Sequence, residues 1–218
     1  MTKFKGFTHK TFDFLRDSEP HKQWISPENE NPRIAYPKWQ QEWNDKYKTL
    51  YENELLNPLT SLAEDLTPLI LKIDSDIDQS IENILLGEYK RVTVKGLYYK
   101  QQPLKDKYSY PVYYFTLNAE GYEYGVGFTT TDKELMDCFL YGIYKNNEIK
   151  VEELISDGFT IDVKIHNKKY REFYVKKAKY MSDELLSSAL VPLLQAEFTS
   201  LQWLYNLIKD NIEYDSNL

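Results

Sequence analysis

The sequence predicts an α+β fold, with helices packed on a mainly antiparallel sheet in a single domain. Three observations predict it. Apolar residues recur at three- and four-residue steps near both ends of the chain, they alternate strictly through the middle, and no repeat, low-complexity tract or linker separates the two patterns. On this reading residues 1–87 are mainly helical, 88–180 hold strands with one helix, and 181–212 are helical again.

Each element follows from a local signal. Thr8 is placed to cap a short helix carrying Phe12 and Leu15, which ends by Ser18-Glu19-Pro20. Ser26 to Arg33, with Pro27 and Pro32, reads as a loop. A long amphipathic face then runs through Trp39, Trp43, Tyr47, Leu50, Leu55, Leu59, Leu62, Leu66 and Leu69. Pro58 and Pro68 are expected to kink or restart it, because each lacks a backbone donor. An acid-started helix is expected from about Asp76 to Leu86.

In the middle, Arg91 to Lys95 alternates, as do Tyr113 to Leu117 and Tyr122 to Phe128, with Asn118 to Gly121 as a turn. Thr131-Asp132-Lys133-Glu134 reads as a capping box opening a helix with Leu135, Phe139 and Ile143 on one face and Asn146-Asn147 at its end. After another short segment, Phe159, Ile161, Val163 and Ile165 alternate and turn through His166 to Lys169 into Phe173-Tyr174-Val175, a second hairpin. Ser182 is expected to start a helix to about Leu190. Pro192 then opens a last one carrying Leu194, Phe198, Leu201, Leu204 and Ile208.

Composition narrows the function classes. Of 218 residues 15% are aromatic, 19 of them tyrosines, which excludes a disordered chain and supplies rings with polar tips. Lys+Arg total 27 against Asp+Glu 34, and the net charge of −7 argues against a surface devoted to phosphate backbones. The one cysteine, Cys138, cannot form an internal disulfide and sits near the apolar side of its helix, which fits a buried thiol in a reducing compartment. No apolar stretch reaches the ~18 residues of a membrane span, so the expectation is a cytoplasmic protein without a membrane partner.

The opening Phe4-Lys5-Gly6-Phe7, then Phe14-Leu15, Trp24 and Tyr47, with Pro58 and Leu62 in the following helix, resembles a bacterial family of unknown function, domain family 2461. Its members open F-x-G-F, then F-L, a W-F pair and a long helix carrying Tyr and Pro. Lys105-Asp106-Lys107 with a displaced Pro111 is similar to the family's K-D-K-x-P core. Ile25 replaces the second aromatic of the W-F pair, and Gly96-Leu97-Tyr98-Tyr99 stands where the R-D-x-R-F half belongs. The resemblance implies a bacterial α+β protein and no particular activity.

Candidate chemistry falls in three places. Lys105, Asp106, Lys107, Tyr108 and Tyr110 lie in a tyrosine-rich stretch that also holds Tyr98, Tyr99, Tyr113 and Tyr114. Lysines for charge and rings for stacking suit an anionic small molecule or a protein partner, although a solvated hairpin loop has the same composition. Asp157, Asp162 and Lys164 carry an acidic residue followed by Asp-x-Lys on a strand, the arrangement of a Mg²⁺-dependent nuclease; alternation puts Asp162 and Lys164 on one face. The polar face of an amphipathic strand reads the same way. Lys168, Lys169, Arg171, Lys176 and Lys177, interleaved with aromatics, form a basic patch that suits nucleic acid or an acidic partner, or else a lysine-protected edge strand.

Asp74-Ser75-Asp76-Ile77-Asp78 opens like a calcium loop, but Gln79 and Leu85 occupy the positions that need Gly and Glu. The histidines lack metal-ligand spacing, and the glycines of Gly121-x-x-x-Gly125-x-Gly127 have no following Gly-Lys-Ser/Thr to make a phosphate loop. Neither a metal nor a cofactor is expected. A non-catalytic binding domain leads, with a nucleic-acid-acting protein and a structural subunit packing through Trp39 and Trp43 as alternatives.

Overall fold

The computed structural model describes residues 3–18, 48–86, 96–101, 110–166 and 170–216. The expectations for Ser26 to Arg33, Trp39, Trp43, Arg91 to Lys95 and Lys105 to Tyr108 lie outside these residues, as do Lys168 and Lys169.

Among the described residues the chain runs α1 (His9–Ser18), α2 (Asn57–Ile70), α3 (Ile81–Leu86), β1 (Gly96–Lys100), β2 (Val112–Leu117), β3 (Gly121–Thr130), α4 (Lys133–Asn146), α5 (Glu148–Ser156), β4 (Thr160–His166), β5 (Tyr170–Tyr180), α6 (Leu190–Ser200) and α7 (Gln202–Ser216). The five strands form one antiparallel sheet in the order β1-β2-β3-β5-β4. Helices cover one face. Against them lie Leu97 and Tyr99 of β1, Tyr113, Phe115 and Leu117 of β2, Tyr122, Tyr124, Val126 and Phe128 of β3, and Phe173 and Val175 of β5, all buried. This is the α+β single domain that the alternating and helical patterns predict.

Stacked and edge-on rings join the layers. Tyr113 stacks on Tyr205 of α7 at 4.5 Å, and Phe139 of α4 meets Phe128 and Phe173 edge-on at 4.9 and 4.8 Å. The opening Phe-x-Gly-Phe motif is also core: Phe4 and Phe7 are buried, Phe7 stacks on Phe115, and Gly6 adopts φ 109° where a side chain would strike the Leu186 backbone.

The prolines act as different devices. Pro58 has no N–H for the Glu54 carbonyl four residues back. The chain widens there into a π-helical segment, Glu52–Leu56, and the Glu54 carbonyl accepts instead from the buried Thr11 hydroxyl at 2.7 Å. Pro68, expected to kink or restart the helix, lies in its last turn, and α2 continues to Ile70.

Several boundaries differ from expectation. Thr8 precedes α1 as foreseen, but its hydroxyl donates to Glu54 rather than capping. The third helix starts at Ile81, not Asp76, because Ile77 bridges to Gln101 and the Asp78 carboxylate accepts the Ser80 N–H at 2.8 Å. Asp132, not Thr131, caps α4, accepting from the Glu134 and Leu135 amides. Residues 148–156, passed over as a short segment, are helical. Ser182 to Ala189 forms turns rather than a helix, since the Ser187 hydroxyl bonds nearby backbone at Glu184 and Ala189. The last helix is two, broken at Leu201 where Thr199 and Ser200 bond back to carbonyls. Cys138 is exposed, because it lies off the stripe made by Leu135, Met136, Phe139 and Ile143. Among the described residues, no helix is long and apolar enough to cross a membrane.

Candidate functional site

The other face of the sheet carries no described helix, and its side chains follow from register. One row across it reads Lys100, Val112, Gly127, Tyr174, Asp162; the next reads Tyr98, Tyr114, Gly125, Lys176, Thr160. The central strand therefore contributes no side chain to either row. At Gly125 and Gly127 a Cβ would collide with carbonyls of β5, so β5 approaches β3 more closely than any other residue permits.

The result is a groove of about 270 Å³ along the middle of the sheet. The Tyr174 ring packs against Gly127 and meets the Tyr114 ring edge-on at 5.5 Å, making an aromatic floor. Tyr98, Lys100, Thr116, Glu123, Asp162, Lys164, Glu172 and Lys176 complete the walls.

Lys164 and Lys176 on these walls are paired with carboxylates. Lys176 bridges Glu123 at 3.2 Å and Asp162 at 3.4 Å, and Lys164 lies 2.8 Å from Asp162. Hydrogen bonding by Lys164 holds the Asp162 carboxyl below its ordinary range. Burial alone would lower the Lys176 ammonium, but Glu123 and Asp162 outweigh it and leave the group above the usual lysine value. The Tyr114 hydroxyl donates to Glu123 at 3.1 Å, and burial together with that carboxylate pushes its pKa well up. Near neutral pH the groove thus holds fixed ammonium and carboxylate charges beside a neutral phenol. Three lysines face three carboxylates, and the lining as a whole is balanced.

Of the residues singled out in the sequence, the structure brings Asp162, Lys164 and Lys176 together here. Asp157 is exposed at the C-terminal cap of α5 and is not part of the lining. Among the described residues no three acidic, histidine or cysteine side chains gather as a metal-holding group. Strand alternation divides the basic stretch. Lys177, one residue from Lys176, points to the helical face, where it pairs with Glu197 at 3.3 Å and lies over the Phe159 ring. Arg171 donates to the Thr131 carbonyl. β5, which carries Lys176 and Lys177, runs inside the sheet, and β4 is the edge beside it. Tyr110 is half-buried ahead of β2.

Sequence reasoning placed Tyr98 and Tyr114 in the tyrosine-rich stretch but missed Lys100, Glu123, Glu172 and Tyr174 as lining residues. The signal that locates them is the glycine alternation in β3, which marks a strand bare on one face. Comparison of the chain with protein-family models, curated proteins and solved structures finds no match.

Proposed function

We propose that this protein is a non-catalytic binding domain, and that its ligand is a small polar molecule without large net charge, held in the tyrosine-floored groove. The observation that carries the reading is the balance of charge around two tyrosine rings: three lysines line the groove with three carboxylates, and Lys176 and Lys164 are already matched by Glu123 and Asp162. A polyanion would have to displace these carboxylates, whereas a neutral or zwitterionic molecule can hydrogen-bond both signs and lie on the rings. Asp162 and Lys164 serve here as ligand contacts. A cytoplasmic setting and kinship with family 2461 belong to the same proposal; the buried Phe4 and Phe7, with Gly6 pressed against the Leu186 backbone, support the kinship as a packing motif.

The test is an amide NMR titration with three probes: a neutral disaccharide, a zwitterionic dipeptide and inorganic phosphate. The expected outcome is that the disaccharide or the dipeptide shifts amides of 112–116, 123–127 and 174–176, and that Tyr174→Ala removes the shifts while leaving the remaining spectrum in place. Shifts confined to phosphate, or to residues off this face, defeat the proposal.

A further inference from the structure

The edge strand β4 has a free side among the described strands. An edge presents unpaired N–H and C=O groups, and proteins usually blunt it with charge, proline or a bulge. Here the blunting is incomplete. The alternating residues on the helical side lose their cover along the strand: Ile161 is half-buried, Val163 is 42% exposed and Ile165 is 66% exposed. On the groove side Asp162 is followed two residues later by Lys164, so the edge carries both signs rather than a repelling row of one.

We propose that β4 pairs antiparallel with β4 of a second copy about a two-fold axis at Val163, joining two five-stranded sheets into one. Register selects this arrangement twice over. It is the alignment that pairs all seven residues of β4. It also sets Asp162 opposite the partner's Lys164, Lys164 opposite the partner's Asp162, and Ile161 opposite the partner's Ile165, with Val163 meeting its own copy. Centring the pair on Asp162 or on Lys164 opposes like charges. A slip that shifts the pairing by one residue sets Val163 against Lys164 and sends apolar and charged side chains to the same face. The axis is perpendicular to the sheet, so both grooves open on the same side, and the Asp162–Lys164 pairs form the wall between them. Such an isologous contact closes on itself and does not propagate into fibres.

The experiment is the mass of the full chain in solution by sedimentation over a concentration series. The expected result is a reversible dimer. Val163→Lys, which opposes two ammonium groups across the axis, weakens it about tenfold or more, and Ile165→Lys, at a position already two-thirds exposed in one copy, weakens it as well. An equimolar mixture of Val163→Lys and Val163→Asp forms a mixed dimer although each variant alone is a monomer. Circular dichroism confirms that each variant is folded, and Val163→Thr keeps the dimer. A wild-type monomer at every concentration overturns the proposal. So does a dimer indifferent to both lysine substitutions, or a pair of folded charge variants that fail to recombine.

Discussion

At Asp74 one side chain holds three parts of the chain together. Its carboxylate accepts from the Tyr205 hydroxyl at 2.9 Å, from Gln101 Nε2 at 3.0 Å and from the Asp76 backbone at 3.0 Å, and it pairs with Lys209 at 3.3 Å. Burial alone would raise its pKa, but these donors outweigh burial and lower it. A carboxyl that is more acidic in the folded state stabilises the fold at pH above its unfolded pKa, and that contribution fades as pH falls through the folded value. Asp74→Asn should therefore cost about 1–3 kcal/mol at neutral pH. In thermal melts the gap from wild type should hold constant down to about pH 5 and narrow below about pH 4; a gap independent of pH across that range contradicts this account. The sequence shows the acidic run of Asp74, Asp76 and Asp78 and its failure as a calcium loop, but not the hub. Tyr205 and Lys209 are more than 130 positions away, and no local pattern joins them.

Elements were legible where periodicity was strong and hidden where side chains rewired the backbone. The spacing of Phe12 and Leu15, the alternation of Tyr122 to Phe128 and the run Leu135, Phe139, Ile143 each gave an element because one face is buried continuously. The π-helical segment was not legible, since Pro58 announces a missing donor without saying which group replaces it. The replacement, Thr11, supplies a cycle that can be measured. Thr11→Val strands the Glu54 carbonyl and should destabilise by about 1–3 kcal/mol in urea melts. Pro58→Ala returns an N–H to that carbonyl, so the double variant should lose clearly less than the sum of the two single losses. Simple additivity would mean that the Thr11 hydroxyl contributes through its bond from the Thr8 N–H or through packing, not through the Glu54 carbonyl.

For the whole molecule, the tyrosines act as a group. Tyr99, Tyr113, Tyr114, Tyr124 and Tyr205 all have pKa values pushed up by burial first of all. Raised phenols lend stability that is complete below their unfolded pKa, near 10, and is lost as pH rises beyond it. In an alkaline titration, tyrosinate absorbance from this buried group should rise in one step together with loss of circular dichroism. Smooth titration of all tyrosines before unfolding would show that the aromatic core admits hydroxide. The sequence revealed the tyrosine excess and the alternation that buries Tyr113, Tyr122 and Tyr124, but the groove depends on register across five strands. Lys100 and Asp162 share a row only because four successive pairings align them. The glycines of β3 also set what descent can change in such a surface. Gly125 and Gly127 are held by the neighbouring backbone and are closed to substitution, while Tyr98, Lys100, Thr116 and Lys164 stand on walls that no core packing requires. A lineage carrying this fold can exchange those wall residues and so change its ligand, while the trough itself passes on unaltered.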